Sequence, residues 1–362
     1  MKNVFAALTF ILSLSSACHP PAKPHGEAVR GITQKAESDE QVATSPRETP
    51  LPSAPPKDSV GAVTPSPTPT PSKSLKFGPQ TCEKNATTAT CYTIDASLNE
   101  LSGITASGQF PGVFWVENDQ GPAAVVYALN NRGEILSTQT LTGVTVTDTE
   151  DITLGPGPKS GVNYIYLGDI GDKAKTAGAV TVYRFPEPTV DPILKAVKGT
   201  VADFQAISLS YPSSQVLDFE TMFIDPRDGD LYLVQKGGFN VFKAAKAALN
   251  SAQTGVPVAM TLVRSTGGWS MVPSGGNMSP AGDEIVLRDE KTAWIFQRLA
   301  GQSVADALGT IALTLPLGPE FNGEAISFDA KGLDLVTVSE NQANSSNQPS
   351  PPQPVFFYRR LP

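Results

Sequence analysis

From about residue 76 onward, short apolar runs alternate with polar turns rich in glycine, proline and aspartate. Five runs stand out: GVFWVEND (112–119), NYIYLGD (163–169), DLYLVQK (230–236), DEIVLRD (283–289) and DLVTVSE (334–340). Each has strand length, is rich in Val, Ile, Leu, Tyr or Phe, and follows a turn. The turns are GQFPG (108–112), GPGPKSG (155–161), DPRDGD (225–230), SPAGD (279–283) and DAKGLD (329–334). Ahead of four of these turns a glutamate opens a further apolar run: Glu100-LSGI, Glu150-DI, Glu220-TMFI and Glu324-AISF. In the remaining unit Asn277, followed by MSP, takes the corresponding place. The five positions are 50, 70, 57 and 47 residues apart.

A strand-rich unit recurring at this period predicts an all-β chain folded as a β-propeller. Five blades fit residues 76–362. A six-bladed ring is the alternative, because the 70-residue interval has room for hidden strands. A β-sandwich is the competing architecture. The run Val355–Tyr358 is expected to close the ring by sharing a blade with the segment near Cys91–Ile94. Two Ala-rich pieces, Val241–Leu249 and Val304–Leu308, read as short helices, and Asn341–Pro354 as a polar loop.

The first 75 residues have a different character. Lys2 precedes an apolar run, Val4–Leu14, too short to span a bilayer. Ser15, Ser16 and Ala17 lead into Cys18. This resembles a bacterial lipoprotein signal, with residues 1–17 removed and Cys18 lipidated; the competing outcome is ordinary cleavage after Ala17. Residues 18–75 form a linker holding twelve prolines between Pro20 and Pro71 and no Phe, Trp or Tyr. Such a segment buries too little apolar area to offset the entropy of ordering. The expected location is therefore the bacterial cell envelope, as a membrane-anchored lipoprotein in the periplasm or at the cell surface. The lipid anchor is the only expected membrane contact. With Cys18 acylated, Cys82 and Cys91 remain as a pair in an oxidising compartment, and a disulfide is expected.

Composition narrows the chemistry. The net charge of −8 argues against a nucleic-acid partner. The two histidines, His19 and His25, precede the folded region, which excludes a histidine triad or a His-ligated zinc there. Three cysteines are too few for a Cys₄ centre.

In a propeller the first strand of each blade lines the central channel. Glutamates opening those strands form a ring, and the ends of the second strands return Asp119, Asp169, Lys236, Asp289 and Glu340 to the same rim. A ring of like charges repels itself unless a cation occupies it. Oxygen-only donors suit Ca²⁺, or alternatively Mg²⁺. Glu100, Glu150, Glu220, Asn277 and Glu324 are the candidate metal ligands. The other possibility is that each carboxylate caps backbone amides of the next blade. Leu167-Gly168-Asp169-Ile170-Gly171-Asp172 reads first as a tight turn held by aspartate side chains, with metal ligation by the two aspartates as the alternative.

The pieces NELSGI (99–104), FWVENDQG (114–121), DTEDITLGPG (148–157), YIYLGDIGDK (164–173), VYRFPEP (182–188), DPRDGDLYLV (225–234) and NGEAISF (322–328) resemble an exported bacterial β-propeller family whose members are mostly uncharacterised. Thr149 stands where an aromatic is commoner in that family, and Lys173 where an asparagine is. The glutamate spacing and the YIYLGDIGDK hairpin are more distantly similar to five-bladed calcium-dependent apyrases. That resemblance implies Glu150, Glu220 and Glu324 as the foremost ligands, with Glu100 and Asn277 completing the ring.

Two functions follow. One is a binding or scaffold module, monomeric, with an envelope protein as partner and a channel calcium. The other is a calcium- or magnesium-dependent hydrolase of phosphate esters or anhydrides, apyrase-like or phytase-like. For it, Asp119 or Asp169 is the candidate catalytic base, and Lys173, Lys236 and Arg288 are the candidates for holding a small phosphorylated substrate.

Overall fold

A computed structural model describes residues 73–119, 121–172, 178–212, 215–238, 240–265, 271–340 and 352–362. The signal segment, Cys18, nearly all of the linker, Lys173 and most of the loop expected at 341–354 lie outside the described residues.

The described chain begins with strand β1 (Phe77–Cys82). A first group of strands follows: β2 (Leu101–Ala106), β3 (Val113–Asn118), β4 (Ala123–Asn130) and β5 (Ile135–Thr145). A second comprises β6 (Thr149–Pro156), β7 (Asn163–Asp169), β8 (Ala179–Pro186), β9 (Val197–Val201) and β10 (Gln205–Ser210). The third comprises β11 (Phe219–Ile224), β12 (Leu231–Gln235), β13 (Asn240–Ala244), the short helix α1 (Lys246–Asn250), β14 (Val258–Ala259) and β15 (Thr261–Ser265). The fourth has β16 (Gly275–Met278), β17 (Glu284–Arg288), β18 (Thr292–Gln297), the single-turn helix α2 (Val304–Ala307) and β19 (Leu313–Pro316). The fifth has β20 (Gly323–Phe328), β21 (Leu335–Ser339) and β22 (Phe356–Arg360).

These strands make five sheets, β2-β3-β4-β5-β9, β14-β10-β8-β7-β6, β11-β12-β13-β15, β16-β17-β18-β19 and β1-β22-β21-β20. The fold is a five-bladed β-propeller. Its innermost strands are β2, β6, β11, β16 and β20. The packing follows the same symmetry, because one apolar cluster fills each blade junction. Trp115 and Leu136 meet Ile165 and Phe185 between the first two blades. Tyr166 and Leu209 meet Met222 and Phe242 at the next junction. The ring closes where Ile104 and Phe114 of the first blade pack on Val336 and Phe357 of the fifth.

The interval of 70 residues between Glu150 and Glu220 does contain hidden strands, yet they build no sixth blade. The chain leaves β8, and β9 pairs parallel with β5 of the preceding blade before β10 returns antiparallel to β8. Strand β14 likewise pairs parallel with β10. Both excursions cover outer edges that would otherwise present unpaired backbone groups.

Two sequence expectations need correction here. The strand that closes the ring is Phe77–Cys82, with Gln80 opposite Tyr358 and Cys82 opposite Phe356. Cys91 makes an isolated bridge to Lys84, and Ile94, outside any strand, donates its amide to the Gln353 carbonyl and shares an apolar cluster with Val355 and Phe357. The Ala-rich piece expected as a helix from Val241 is strand up to Ala244, because Val241 and Phe242 fill the core, and helix only over Lys246–Asn250.

Cys82 and Cys91 form the expected disulfide, with Cα atoms 5.7 Å apart. It closes a short hairpin off the end of β1. Constraining so small a loop is worth at most about 2–3 kcal/mol. Reducing it should therefore lower the midpoint of urea unfolding modestly and leave the propeller folded. Loss of the cooperative transition on reduction would show a larger role.

Candidate channel-mouth cation site

Three of the glutamates share one backbone device. Phe219 faces Gln235 and Thr221 faces Val234, which leaves Glu220 as an extra residue in β11. The same register shift isolates Glu150 between Thr149 and Asp151 in β6. It isolates Glu324 between Gly323 and Ala325 in β20. A bulge of this kind re-aims the extra side chain. Glu100 immediately precedes β2. Its backbone is fixed there because its N–H donates to Asn118 Oδ1 at 2.8 Å and its carbonyl accepts from the Asp119 N–H at 2.8 Å.

The fourth blade departs from the expectation. Strand β16 pairs with β17 in unbroken register, and Asn277 lies opposite Val286. The turns give the alignment. The Asp225, Ser279 and Asp329 amides each donate to the carbonyl that closes the hairpin, at 2.9 Å in every case. Counting back from these equivalent residues, Ser274 stands level with Glu220 and Glu324. Asn277 is instead near the other end of its strand. There it lines a cavity of about 430 Å³ with Thr105, Ile224, Ser327 and Phe328, and its Nδ2 donates to the Ile104 carbonyl at 3.4 Å. It cannot join the glutamates around one ion.

Among the described residues, the carboxylates that converge form two triads, Asp119–Asp148–Glu150 and Glu150–Asp218–Glu220. Within each, one oxygen per residue lies within 4.8 Å of the others. Glu150 belongs to both. Gly171 makes room for the first triad: a Cβ on it would stand 2.2 Å from Asp148 Oδ2 and 2.4 Å from Glu150 Oε1. This explains the second glycine of the LGDIGD motif. Glu324 turns away to a hydrogen bond with Glu340, which Asn322 Nδ2 also contacts.

Behind the triads sit two further buried acids. Asp151 acts as a latch: its Oδ2 accepts from the Met222 N–H of the third blade at 2.7 Å and its Oδ1 from the Ile152 N–H at 2.8 Å. The amide-capping role considered for the glutamates thus falls to the neighbouring aspartate. Glu117 is wholly buried, and neither of its oxygens has a well-formed hydrogen bond among the described residues.

Burial dominates the electrostatics. It pushes the Glu150 carboxyl up to about 12, with Glu220, Asp119, Asp148 and Glu117 adding repulsion. Burial also raises Glu220 to about 7, although Lys236 opposes this, and Glu324 to about 8, where Glu340 adds. Glu117 and Asp151 are likewise raised by burial. Lys236 Nζ sits 2.8 Å from Glu220 Oε1. Burial works against its charge, but Glu220, Glu324 and Asp218 outweigh this and raise its pKa.

A carboxyl whose pKa is raised on folding stabilises the fold only while it is protonated. That stability is present below the unfolded value and is lost as pH climbs through the folded one. Glu220 and Glu324 set the window from about pH 4.5 to about 8. The groups facing them are Asp148, Asp218, Glu340 and Lys236. In chelator, the melting temperature should fall across this window. A flat profile would show that the acids are compensated within the protein.

The remaining sequence candidates are committed elsewhere. Asp169 Oδ1 accepts from the Thr147 and Asp148 amides at 3.1 and 2.8 Å, so it holds the turn as the motif suggested. Asp289 does the same for Lys291 and Thr292. Arg288 is wholly buried and ion-paired with Glu320 at 2.7 Å. Asp148 and Asp218 were missed. The signal for both was present, as an acid two residues before the glutamate in Asp148-Thr-Glu150 and Asp218-Phe-Glu220.

No family model matches the chain, and no curated protein matches it. Among solved structures it resembles a gluconolactonase from Xanthomonas campestris, at 13% identity, TM-score 0.40 and 72% coverage of each chain. It also resembles the PQQ-bound form of an aldose sugar dehydrogenase from Streptomyces coelicolor, at 12% identity and TM-score 0.40, covering 79% of this chain and 99% of that one. Likeness at this level carries over neither residues nor an activity.

Proposed function

We propose that the chain is a cell-envelope binding module whose channel mouth is organised by a hard divalent cation, calcium first and magnesium second. One observation carries this: among the described residues five carboxylates, gathered by backbone bulges and tight turns, converge in two triads, with the Lys236 ammonium on Glu220. Charge buried this way costs several kcal/mol per group unless a cation compensates it. Oxygen donors alone, in an irregular array, fit the flexible coordination of calcium better than the octahedron of magnesium.

Binding is preferred to catalysis because the candidate machinery is engaged in structure. Asp169 caps a turn, Arg288 is sealed in an ion pair, and Lys236 is held by Glu220. The phosphohydrolase reading keeps one point in its favour. Asp119 is the partly exposed member of the first triad, where a base would meet a cation-bound water. The motif resemblance to apyrases is the reason to include nucleotides in the test.

Calorimetric titration of the detergent-solubilised full chain with CaCl₂ and MgCl₂ should give saturable calcium binding. Phosphate release from ATP, ADP and p-nitrophenyl phosphate should not be stimulated by either cation. Absence of binding overturns the proposal. Stimulated release that Asp119→Asn abolishes replaces it with the hydrolase.

The lipid anchor belongs to the same proposal. Cys18→Ser should move the protein from the membrane fraction to the soluble one. An unmodified N-terminus on membrane-free parent protein would contradict the anchor.

A further inference from the structure

The inner strands have two ends, and the cation candidates occupy only one of them. Four residues of β11 separate Glu220 from Ile224, about 13 Å of strand. At the Ile224 end lies the cavity of about 430 Å³ that Asn277 lines. Every blade reaches it. The hairpin turns that mark the repeat in the sequence each supply a lining residue: Gly108, Gly161, Pro226, Pro280 and Ala330. Its volume is that of a small-molecule pocket, commonly about 300–1,000 Å³.

The wall narrows what such a molecule would be. Among the described residues no Asp, Glu, Lys or Arg lines the cavity. A charged ligand would lose its hydration there with no counter-charge to replace it. Leu154, Ile224, Met278 and Phe328 give an apolar surface. Two nearly buried polar side chains interrupt it. Asn277 is 5% exposed; its Nδ2 makes a long contact of 3.4 Å to the Ile104 carbonyl, and its Oδ1 accepts no hydrogen bond among the described residues. Thr105 is 3% exposed, and its hydroxyl has no hydrogen-bond partner among the described residues. The serines of the wall differ, because each donates within the protein. Ser107 Oγ bonds Glu187 Oε1 at 2.7 Å, Ser279 Oγ bonds Asp283 Oδ1 at 2.6 Å, and Ser327 Oγ bonds the Phe328 carbonyl at 2.9 Å.

Buried polar atoms are nearly always bonded to protein or to ordered water, and an occupant that leaves them bare loses affinity. A hydrocarbon ligand would do that to Asn277 and Thr105. Hydroxyl groups suit both: Asn277 Oδ1 accepts from one, and Thr105 Oγ1 donates to or accepts from another. Asn163 adds an amide at the rim, over the turn of the first blade. Gly108 makes room for it, since a Cβ there would stand 2.1 Å from Asn163 Nδ2. Several hydroxyls on a compact frame with C–H faces match this mixture of polar heads and apolar wall.

We propose that this cavity binds an uncharged, polyhydroxylated ring compound, a sugar in chemical class, with Asn277 and Thr105 bonding its hydroxyls and Ile224, Met278 and Phe328 packing on its C–H surface. The site is separate from the cation proposed at the other mouth of the channel.

The test is a binding experiment in chelator on the full chain, solubilised in a detergent without a sugar headgroup. Saturation-transfer NMR and calorimetry are run with glucose, galactose, N-acetylglucosamine and trehalose, and with glucose 6-phosphate and benzene as charged and apolar comparators. At least one neutral sugar should bind saturably. Thr105→Val and Asn277→Leu should each weaken that binding about tenfold, the cost of one lost hydrogen bond, with circular dichroism verifying that the variants are folded. Failure of all the neutral sugars overturns the proposal, as does binding that neither substitution weakens. Preference for benzene or glucose 6-phosphate over every neutral sugar overturns it too. If Asn277→Leu fails to fold, Thr105→Val, which keeps the shape of its side chain, decides alone. The chelator keeps this result apart from the cation titration, so that either proposal fails without the other.

Discussion

Replacing Arg288 with methionine should cost about 3–5 kcal/mol of stability, because it strands a buried carboxylate. Arg288 is wholly buried at the end of β17. Its Nη1 bonds Glu320 Oε2 at 2.7 Å and the Ala325 carbonyl at 3.1 Å, while Nε and Nη2 bond the Asp289 and Glu290 carbonyls at 2.9 and 3.1 Å. The other Glu320 oxygen accepts from Thr337 Oγ1 at 2.7 Å and from Gln80 Nε2 at 3.1 Å. One ion pair thereby joins the fourth blade to β20 and β21 and to the strand that closes the ring. Loss of the arginine leaves the Glu320 charge without its counter-ion in a site that water cannot reach. For a domain of this size the melting temperature should drop by about 10 °C. The double variant Arg288→Met/Glu320→Gln should recover part of the loss, since the stranded charge goes with it. A single-variant loss under about 1 kcal/mol in urea unfolding would mean that Glu320 finds other compensation.

Calcium should raise the melting temperature by about 5–10 °C when its free concentration is 100 times the dissociation constant, equivalent to about 2.7 kcal/mol. The ion selects the folded state because its ligands come from Asp119 to Glu220 in the chain and meet only when the inner strands assemble. Glu150→Gln should nearly abolish the shift. It should also leave the metal-free protein melting no lower than the metal-free parent, since burial and the charges of Glu220, Asp119, Asp148 and Glu117 already hold the metal-free Glu150 carboxyl in its neutral form, which the amide resembles. The latch at Asp151 behaves in the opposite way. Asp151→Ala removes the acceptor for Met222 and Ile152 and should destabilise the fold with or without calcium. Thermal denaturation of the parent and both variants, in chelator and in calcium, separates these roles. Equal destabilisation by both substitutions under both conditions would assign Glu150 to the latch as well.

The architecture was legible because its signals are local. All five second strands fall where apolar runs follow Gly- and Asp-rich turns, and Glu150, Glu220 and Glu324 open inner strands as their spacing suggested. The parts that escaped depend on distant partners or on register. Strand β9 pairs with β5 of another blade, so no hairpin turn announces it. Asn277 was misassigned because β16 lacks the bulge that the glutamate-bearing strands contain, and a polar residue near the turn looked like the missing ligand. Arg288 read as a candidate for holding a phosphorylated substrate, since its ion-pair partner Glu320 lies 32 residues away in the chain. Asp148 and Asp218 are ligand candidates only because bulges and the Asp169 turn bring them back beside the glutamates.

The most direct test of the central claim is a crystal structure of the protein grown in calcium, with an anomalous difference map at the channel mouth. The account predicts density within about 2.3–2.6 Å of a Glu150 carboxylate oxygen, flanked by oxygens of Asp119 and Asp148 or of Asp218 and Glu220. A map without such a peak at saturating calcium, with Glu150 protonated and hydrogen-bonded to a protein acceptor, would contradict it.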